Sequence, residues 1–218
     1  MTNGEAPAVP LLVRLAGRRV VSVGGGRVAA DKLLPLIREH GALVHVVAPR
    51  IDPALEAVAQ WTAREYQGPT DLDGAALVVA ATAEAEVNAR VADDAAAARL
   101  WCVRVDRGGR GSATFPATVR RGPLTFSVGT DGGAPVLARW LRADIDATYG
   151  PEYGALAQLL GDLRRDPAVV AHLAALDEQA RRRAWRSIPL ADILAALRAG
   201  SQQTAKEVAT ACLFSPSD

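Results

Sequence analysis

A run of three glycines, Gly24-Gly25-Gly26, closes an apolar stretch and continues as Arg27-Val28-Ala29. That string fits G-x-G-x-x-[GA], the spacing of a turn that cradles phosphates. Gly24 permits the tight turn, Gly26 lets a pyrophosphate approach the backbone, and the small Ala29 lets the following helix pack close on the strand. The N–H groups at the start of that helix then face the phosphates. The chemistry expected is dinucleotide binding, and the alternative is a glycine turn with a structural task only. An Asp or Glu for the ribose is expected about 20 residues further on. The sequence has Ala48-Pro49-Arg50 there, with Asp52 slightly later. Arg50 either accepts the 2′-phosphate of NADP or is a plain surface residue, so the choice between NAD and NADP stays open.

Other chemistries find less support. Cys102 and Cys212 form no CxxC pair, so neither a zinc knuckle nor a disulfide framework is expected. His40, His45 and His172 lie at a helix end, in a strand and among the terminal helices, and each reads as structural. The chain has 218 residues, half of them hydrophobic, with 25 basic and 24 acidic side chains. A net charge of +1 gives no electrostatic reason to expect a nucleic-acid or membrane-surface protein. No apolar run is long enough to span a bilayer, and no secretory signal is expected at the N-terminus. The expectation is a soluble protein of a reducing compartment.

The elements that would position the glycine turn alternate in type. Residues 1–10 read as a loose leader. Residues 18–23 predict a strand, and 28–40 a helix, kinked or irregular at Pro35 and capped by Gly41. Residues 43–48 predict a second strand ended by Pro49. A helix over 54–63, a short strand over 63–66, a strand over 75–81, a helix over 84–99 and a strand over 101–105 follow. Continuous apolar strands alternating with helices specify an α/β fold with a Rossmann-type, doubly wound parallel sheet. Residues 107–112 read as a flexible loop. Residues 113–119 and 124–130 read as an antiparallel pair, followed by a helix from Pro135 to about 149. Beyond 151 only helices are expected, over 152–165, 167–186, 189–199 and 202–213. The division is residues 1–112, a Rossmann domain; 113–149, a small α+β segment; and 150–218, a helical domain.

With the elements laid out, a resemblance emerges. Val23-Gly24-Gly25-Gly26-Arg27-Val28-Ala29-Ala30-Asp31-Lys32, Val46-Val47-Ala48-Pro49 and Ala80-Ala81-Thr82 with Asn88 resemble the siroheme synthase family. So do Phe115-Pro116-Ala117, Arg121-Gly122-Pro123-Leu124 and, most specifically, Gly132-Gly133-Ala134-Pro135-Val136-Leu137-Ala138-Arg139. These are precorrin-2 dehydrogenases, many of which are also sirohydrochlorin ferrochelatases. The resemblance covers roughly residues 10–165.

The resemblance implies NAD-dependent oxidation of precorrin-2 to sirohydrochlorin, with Fe²⁺ insertion to give siroheme in bifunctional members. It implies an intertwined homodimer in contact through residues 113–149, and a helical domain that helps enclose the tetrapyrrole; the location expected from composition is cytoplasmic. One aspartate at the end of a Rossmann strand serves both steps in the family, and it maps to Asp106. Gly24, Gly25, Gly26, Arg27, Val28, Pro49 and Thr82 are the implied cofactor contacts. Arg121, Arg139, Thr130, Gly132 and Gly133 are the implied substrate contacts, since a carboxylate-rich substrate calls for cations. Arg120 and Arg142 lie around the same blocks. No metal-ligand set and no histidine-based chelatase centre is expected. Asp131 departs from the family pattern; it either brings an acid near the tetrapyrrole or, the favoured reading, caps the helix beginning at Pro135. Arg181-Arg182-Arg183 and Arg186 around Trp185 form a solvated helix face or a basic substrate-facing patch. Tyr149 and Tyr153 read as packing residues. The competing functions are a dehydrogenase without chelatase activity and an NAD(H)-sensing regulatory protein.

Overall fold

A computed structural model describes residues 8–106 and 111–215. The chain divides into two compact units, Met1–Phe115 and Pro116–Asp218. The first unit runs β1 (Arg19–Gly25), α1 (Arg27–Arg38), β2 (Leu43–Ile51), α2 (Pro53–Glu56), β3 (Gln60–Thr62), a 3-10 turn (Pro69–Leu72), β4 (Leu77–Ala80), α3 (Ala85–Ala97) and β5 (Trp101–Arg104). The strands form one parallel sheet in the order β3-β2-β1-β4-β5. The central strands are valine-rich because both faces are covered. Val20, Val46 and Val79 pack with Ala29, Ala30 and Leu33 of α1, while Val21, Val23, Val47 and Val78 pack with Val91 and Ala95 of α3. This is the doubly wound sheet expected.

Several boundaries differ from expectation, each for a local reason. Pro49 does not end β2, which continues to Ile51. The register between β1 and β2 shifts after Val23, so that Gly25 faces Ile51, and this irregularity absorbs the proline's missing donor. The helix expected over 54–63 shrinks to four residues. Backbone pairing of Gln60, Trp61 and Thr62 with His45, Val46 and Val47 overrides the alanine-rich helical signal, so the edge strand is 60–62 rather than 63–66. Pro35 lies inside α1 without breaking it, in the helix's last turn, where the lost bond falls on the exposed Asp31 carbonyl. Gly41, at φ +63°, closes the helix as expected. The glycine-rich loop falls largely outside the described residues, as does most of the leader. Ala113 does not belong to the antiparallel pair: its N–H bonds the Cys102 carbonyl, and it bridges to Val103 of β5.

The second unit starts with an antiparallel hairpin, β6 (Ala117–Arg121) and β7 (Leu124–Val128). It continues with α4 (Pro135–Thr148), α5 (Pro151–Leu163), α6 (Pro167–Ala174), α7 (Glu178–Arg186), α8 (Leu190–Arg198) and α9 (Gln202–Phe214). The single helix expected over 167–186 is two. Asp177 accepts from the Ala180 N–H and starts α7, and Arg181 donates to the Leu173 and Leu176 carbonyls at the end of α6. The helices close over Leu156, Leu163, Val169, Leu173, Ile193 and Leu213. Among the described residues, no helix is long and apolar enough to cross a membrane.

Candidate functional site

The carboxyl ends of β1, β4 and β5 lie side by side, and each carries part of the site. At the end of β1, Gly24 has φ +104°, and a Cβ built there would stand 2.4 Å from the Ala81 carbonyl oxygen. Only glycine tolerates both the dihedral and that approach. Gly25 is equally confined, with the Arg50 carbonyl oxygen and Val46 Cγ1 each 3.0 Å from its virtual Cβ. Gly26 is different: nothing lies within 4 Å of where its Cβ would be. Gly26 is also the N-cap of α1, makes no side-chain cap bond, and has no acid in the turn that follows. The N–H groups of Arg27, Val28 and Ala29 precede the first intrahelical bond, which runs from Ala30 N to Gly26 O. Open space at Gly26, beside N–H groups that have no partner among the described residues at a positive helix end, fits a dinucleotide pyrophosphate. Arg27 and Val28 are exposed.

The loop after β4 is held by Asn88, which is fully buried on α3. Its Oδ1 accepts from the Thr82 backbone N–H and hydroxyl at 3.0 and 2.9 Å, and its Nδ2 donates to the Thr82 carbonyl at 3.1 Å. The Thr82 hydroxyl also accepts from the Glu84 N–H, organising the start of α3. The predicted contact Thr82 thus has its polar groups committed to shaping the loop.

Asp106 follows β5. Arg104 Nε donates to its Oδ1 at 3.1 Å and Nη2 to its Oδ2 at 2.6 Å. Both side chains are about seven-eighths covered, at 13% and 14% exposure. The Arg104 guanidinium holds the Asp106 carboxyl below its ordinary range, against burial that pushes the other way; the Asn88 amide adds a smaller lowering. Asp106 is therefore a carboxylate at neutral pH. Pro49 and Arg50 are exposed at the end of β2, on the other side of the glycine turn.

The remaining predicted residues lie in the second unit. Thr130 begins a tight turn in which Asp131 (φ +47°) and Gly132 (φ +74°) are both left-handed and the Gly133 N–H bonds the Thr130 carbonyl at 2.8 Å. Asp131 does not cap α4: the N-cap is Ala134, which carries no side-chain bond. Arg121 is turned to another task. Its Nε donates to the Tyr149 carbonyl at 2.8 Å, and its Nη2 to the Asp146 carbonyl and carboxylate, each at 2.9 Å. That side chain ties β6 to the end of α4. Arg142 likewise donates to the Thr118 carbonyl. Arg139 is exposed on α4 and makes no ion pair or side-chain hydrogen bond with a described residue. Tyr149 packs between Phe126 and Tyr153, with ring centroids 4.8 and 5.0 Å away. Trp185 carries the Arg164 guanidinium 4.7 Å over its ring rather than any arginine of its own helix.

Sequence reasoning did not single out Arg104 or gauge Asn88. The i, i+2 spacing of Arg104 and Asp106, which puts both side chains on one side of an extended chain, was the available signal for the first. For Asn88, a polar residue on the inward stripe of an alanine-rich helix was the signal. Among the described residues, no group of three or more His, Cys, Asp or Glu side chains is gathered to hold a metal ion.

Comparison with known proteins places these features in context. A family model described as "Putative NAD(P)-binding" matches residues 11–117. The chain is 40% identical over 207 residues to siroheme synthase 3 of Aeromonas hydrophila, covering 92% of this chain and 43% of that one. It is 39% identical over 211 residues to the siroheme synthase of Azotobacter vinelandii, covering 94% and 44%. The chain thus spans less than half the length of these relatives. Among solved structures, that of "SirC, precorrin-2 dehydrogenase" has the same fold, with a TM-score of 0.66 at 20% identity, covering 94% of this chain and 98% of that one.

Proposed function

This chain belongs to the siroheme synthase family, and from that premise we propose that it oxidises precorrin-2 to sirohydrochlorin with NAD⁺ and then inserts Fe²⁺ to give siroheme. The observation that carries the reading is one ionised carboxylate, Asp106, at the carboxyl end of β5, two strands from the glycine turn. Open parallel sheets bind ligands along that edge, where the strand order reverses.

Bound NAD⁺ supplies the hydride acceptor. Gly26 and the N–H groups of Arg27, Val28 and Ala29 would hold its pyrophosphate, Gly24 and Gly25 bring the turn into position, and Pro49 and Thr82 would be further contacts. Oxidation removes a hydride from one ring position and a proton from another, and Asp106 accepts that proton. Arg104 keeps the carboxylate charged and aimed, and the proton then leaves to water. Metal insertion, with Fe²⁺ as substrate, releases pyrrole N–H protons, which the same carboxylate can take. Among the implied substrate contacts, Arg139, which makes no ion pair or side-chain hydrogen bond with a described residue, is offered to a carboxylate, and the turn at Thr130, Gly132 and Gly133 offers backbone groups. Arg121 is assigned instead to holding α4.

The homodimer forms through the 113–149 segment, residues 1–112 bind the dinucleotide, and residues 150–218 form a helical domain. Supporting this are Val136, Leu137 and Trp140, which stand on one stripe of α4 with 70%, 48% and 63% exposure. A cytoplasmic location accords with two free thiols, Cys102 and Cys212.

The test is an anaerobic assay with precorrin-2 and NAD⁺, followed by absorbance, with Fe²⁺ added afterwards. Sirohydrochlorin and then siroheme are expected. Sirohydrochlorin that persists after Fe²⁺ would leave a dehydrogenase only. Dinucleotide binding without any oxidation would leave a sensor.

A further inference from the structure

We propose that Arg50 lets this chain accept the 2′-phosphorylated dinucleotide, NADP, alongside NAD, by meeting the 2′-phosphate at the end of β2. The inference rests on the dinucleotide reading above. In sheets with this glycine turn, the adenosine ribose lies at the carboxyl end of the second strand. An acid there holds the 2′-hydroxyl and repels a phosphate, whereas an arginine accommodates one.

Three observations converge on Arg50. The first is position: its carbonyl oxygen lies 3.0 Å from the virtual Cβ of Gly25, so residue 50 adjoins the glycine turn itself. The second is rigidity. The Trp61 indole N–H donates to the Ala48 carbonyl at 2.8 Å, and the Asp52 N–H donates to the Gly25 carbonyl at 2.7 Å, which pins the backbone on both sides of Arg50. The third is charge. The one acid between Val46 and Asp52 is Asp52, and its Oδ1 accepts the Ala54 N–H at 2.9 Å as the N-cap of α2. Arg50 itself is exposed and makes no ion pair or side-chain hydrogen bond with a described residue. An exposed arginine whose backbone adjoins the turn, with no carboxylate partner among the described residues, suits a phosphate dianion in two-point contact.

The test uses the full chain without tetrapyrrole. NADH and NADPH are titrated separately, with nicotinamide fluorescence as the readout, against the native protein, Arg50→Ala and Arg50→Glu. The native chain should bind both. Arg50→Ala should weaken NADPH roughly tenfold to a hundredfold, the range for one lost bond to a charged group, and leave NADH unchanged. Arg50→Glu should reject NADPH and keep NADH, which also reports that the variant is folded. Binding of NADH but not NADPH by the native chain overturns the inference and leaves the dinucleotide reading intact. Equal effects of Arg50→Ala on both nucleotides overturn it as well. Failure of the native chain to bind either overturns the inference together with the reading beneath it.

Discussion

Arg104 and Asp106, two residues apart at the end of β5, meet in a two-point ion pair at 3.1 and 2.6 Å. Arg104 is the last residue of β5 and Asp106 lies in the bend that follows it, so the pair closes across the end of the strand. The contact has opposing consequences. It favours the charged form of the carboxylate and orients it, and it makes that carboxylate a weaker base.

Asp106→Asn should therefore lower precorrin-2 oxidation by roughly 10²- to 10⁴-fold, the usual contribution of a positioned base. NADH affinity should not change. Unchanged turnover in a folded variant would remove Asp106 from the chemistry.

Arg104→Gln removes the group that holds the Asp106 carboxyl low, so the folded carboxyl should titrate at higher pH. The acid limb of the kcat/KM profile, below which Asp106 is protonated and idle, should move upward with it. A profile whose height falls while its acid limb stays put would assign Arg104 a purely structural part.

Gly24→Ala and Gly26→Ala should separate folding from binding. At Gly24 the substitution meets both a positive φ and the Ala81 backbone, so stability should drop by at least about 1–2 kcal/mol. At Gly26 the methyl enters open space, so the denaturation midpoint should hardly move while dinucleotide affinity falls. Calorimetric titration beside urea unfolding distinguishes them.

His45 provides a pH-dependent stability term. Burial, and then the neighbouring Arg19 guanidinium that bonds its ring, lower its pKa from 6.5, with Asp71 opposing and Arg64 adding to the decrease. The unfolded chain then takes up the proton first. This contribution is complete above about pH 6.5 and is lost as pH falls through the lowered folded-state value. Urea midpoints at pH 7.5 and 5.5 should show the loss, and His45→Gln should reduce it.

Trp140→Glu puts a charge on the exposed apolar stripe of α4. If that stripe joins two copies, light scattering should report a monomer for the variant and a dimer for the native chain. A native monomer would end the dimer proposal.

The glycine turn, the alternation of strand and helix and the parallel sheet were legible because each depends on local spacing: period-two or continuous apolar runs, a 3.6-residue stripe, and glycine where φ must be positive. The β2 end, the 60–62 edge strand and the division of 167–186 were not, since each is decided by a partner distant in sequence or by a cap that outweighs propensity. Asp106 was reached through family motifs, and nothing in its own neighbourhood announced a base. Arg121 and Arg139 look alike in sequence, yet one is bound to the end of α4 and the other has no side-chain partner among the described residues. Sequence by itself determined which residues were available to hold phosphates and carry charge. Only the tertiary structure decided which charges were already spent, because hydrogen-bond partners such as Arg121 with Asp146, or Asn88 with Thr82, are set by where separate elements meet.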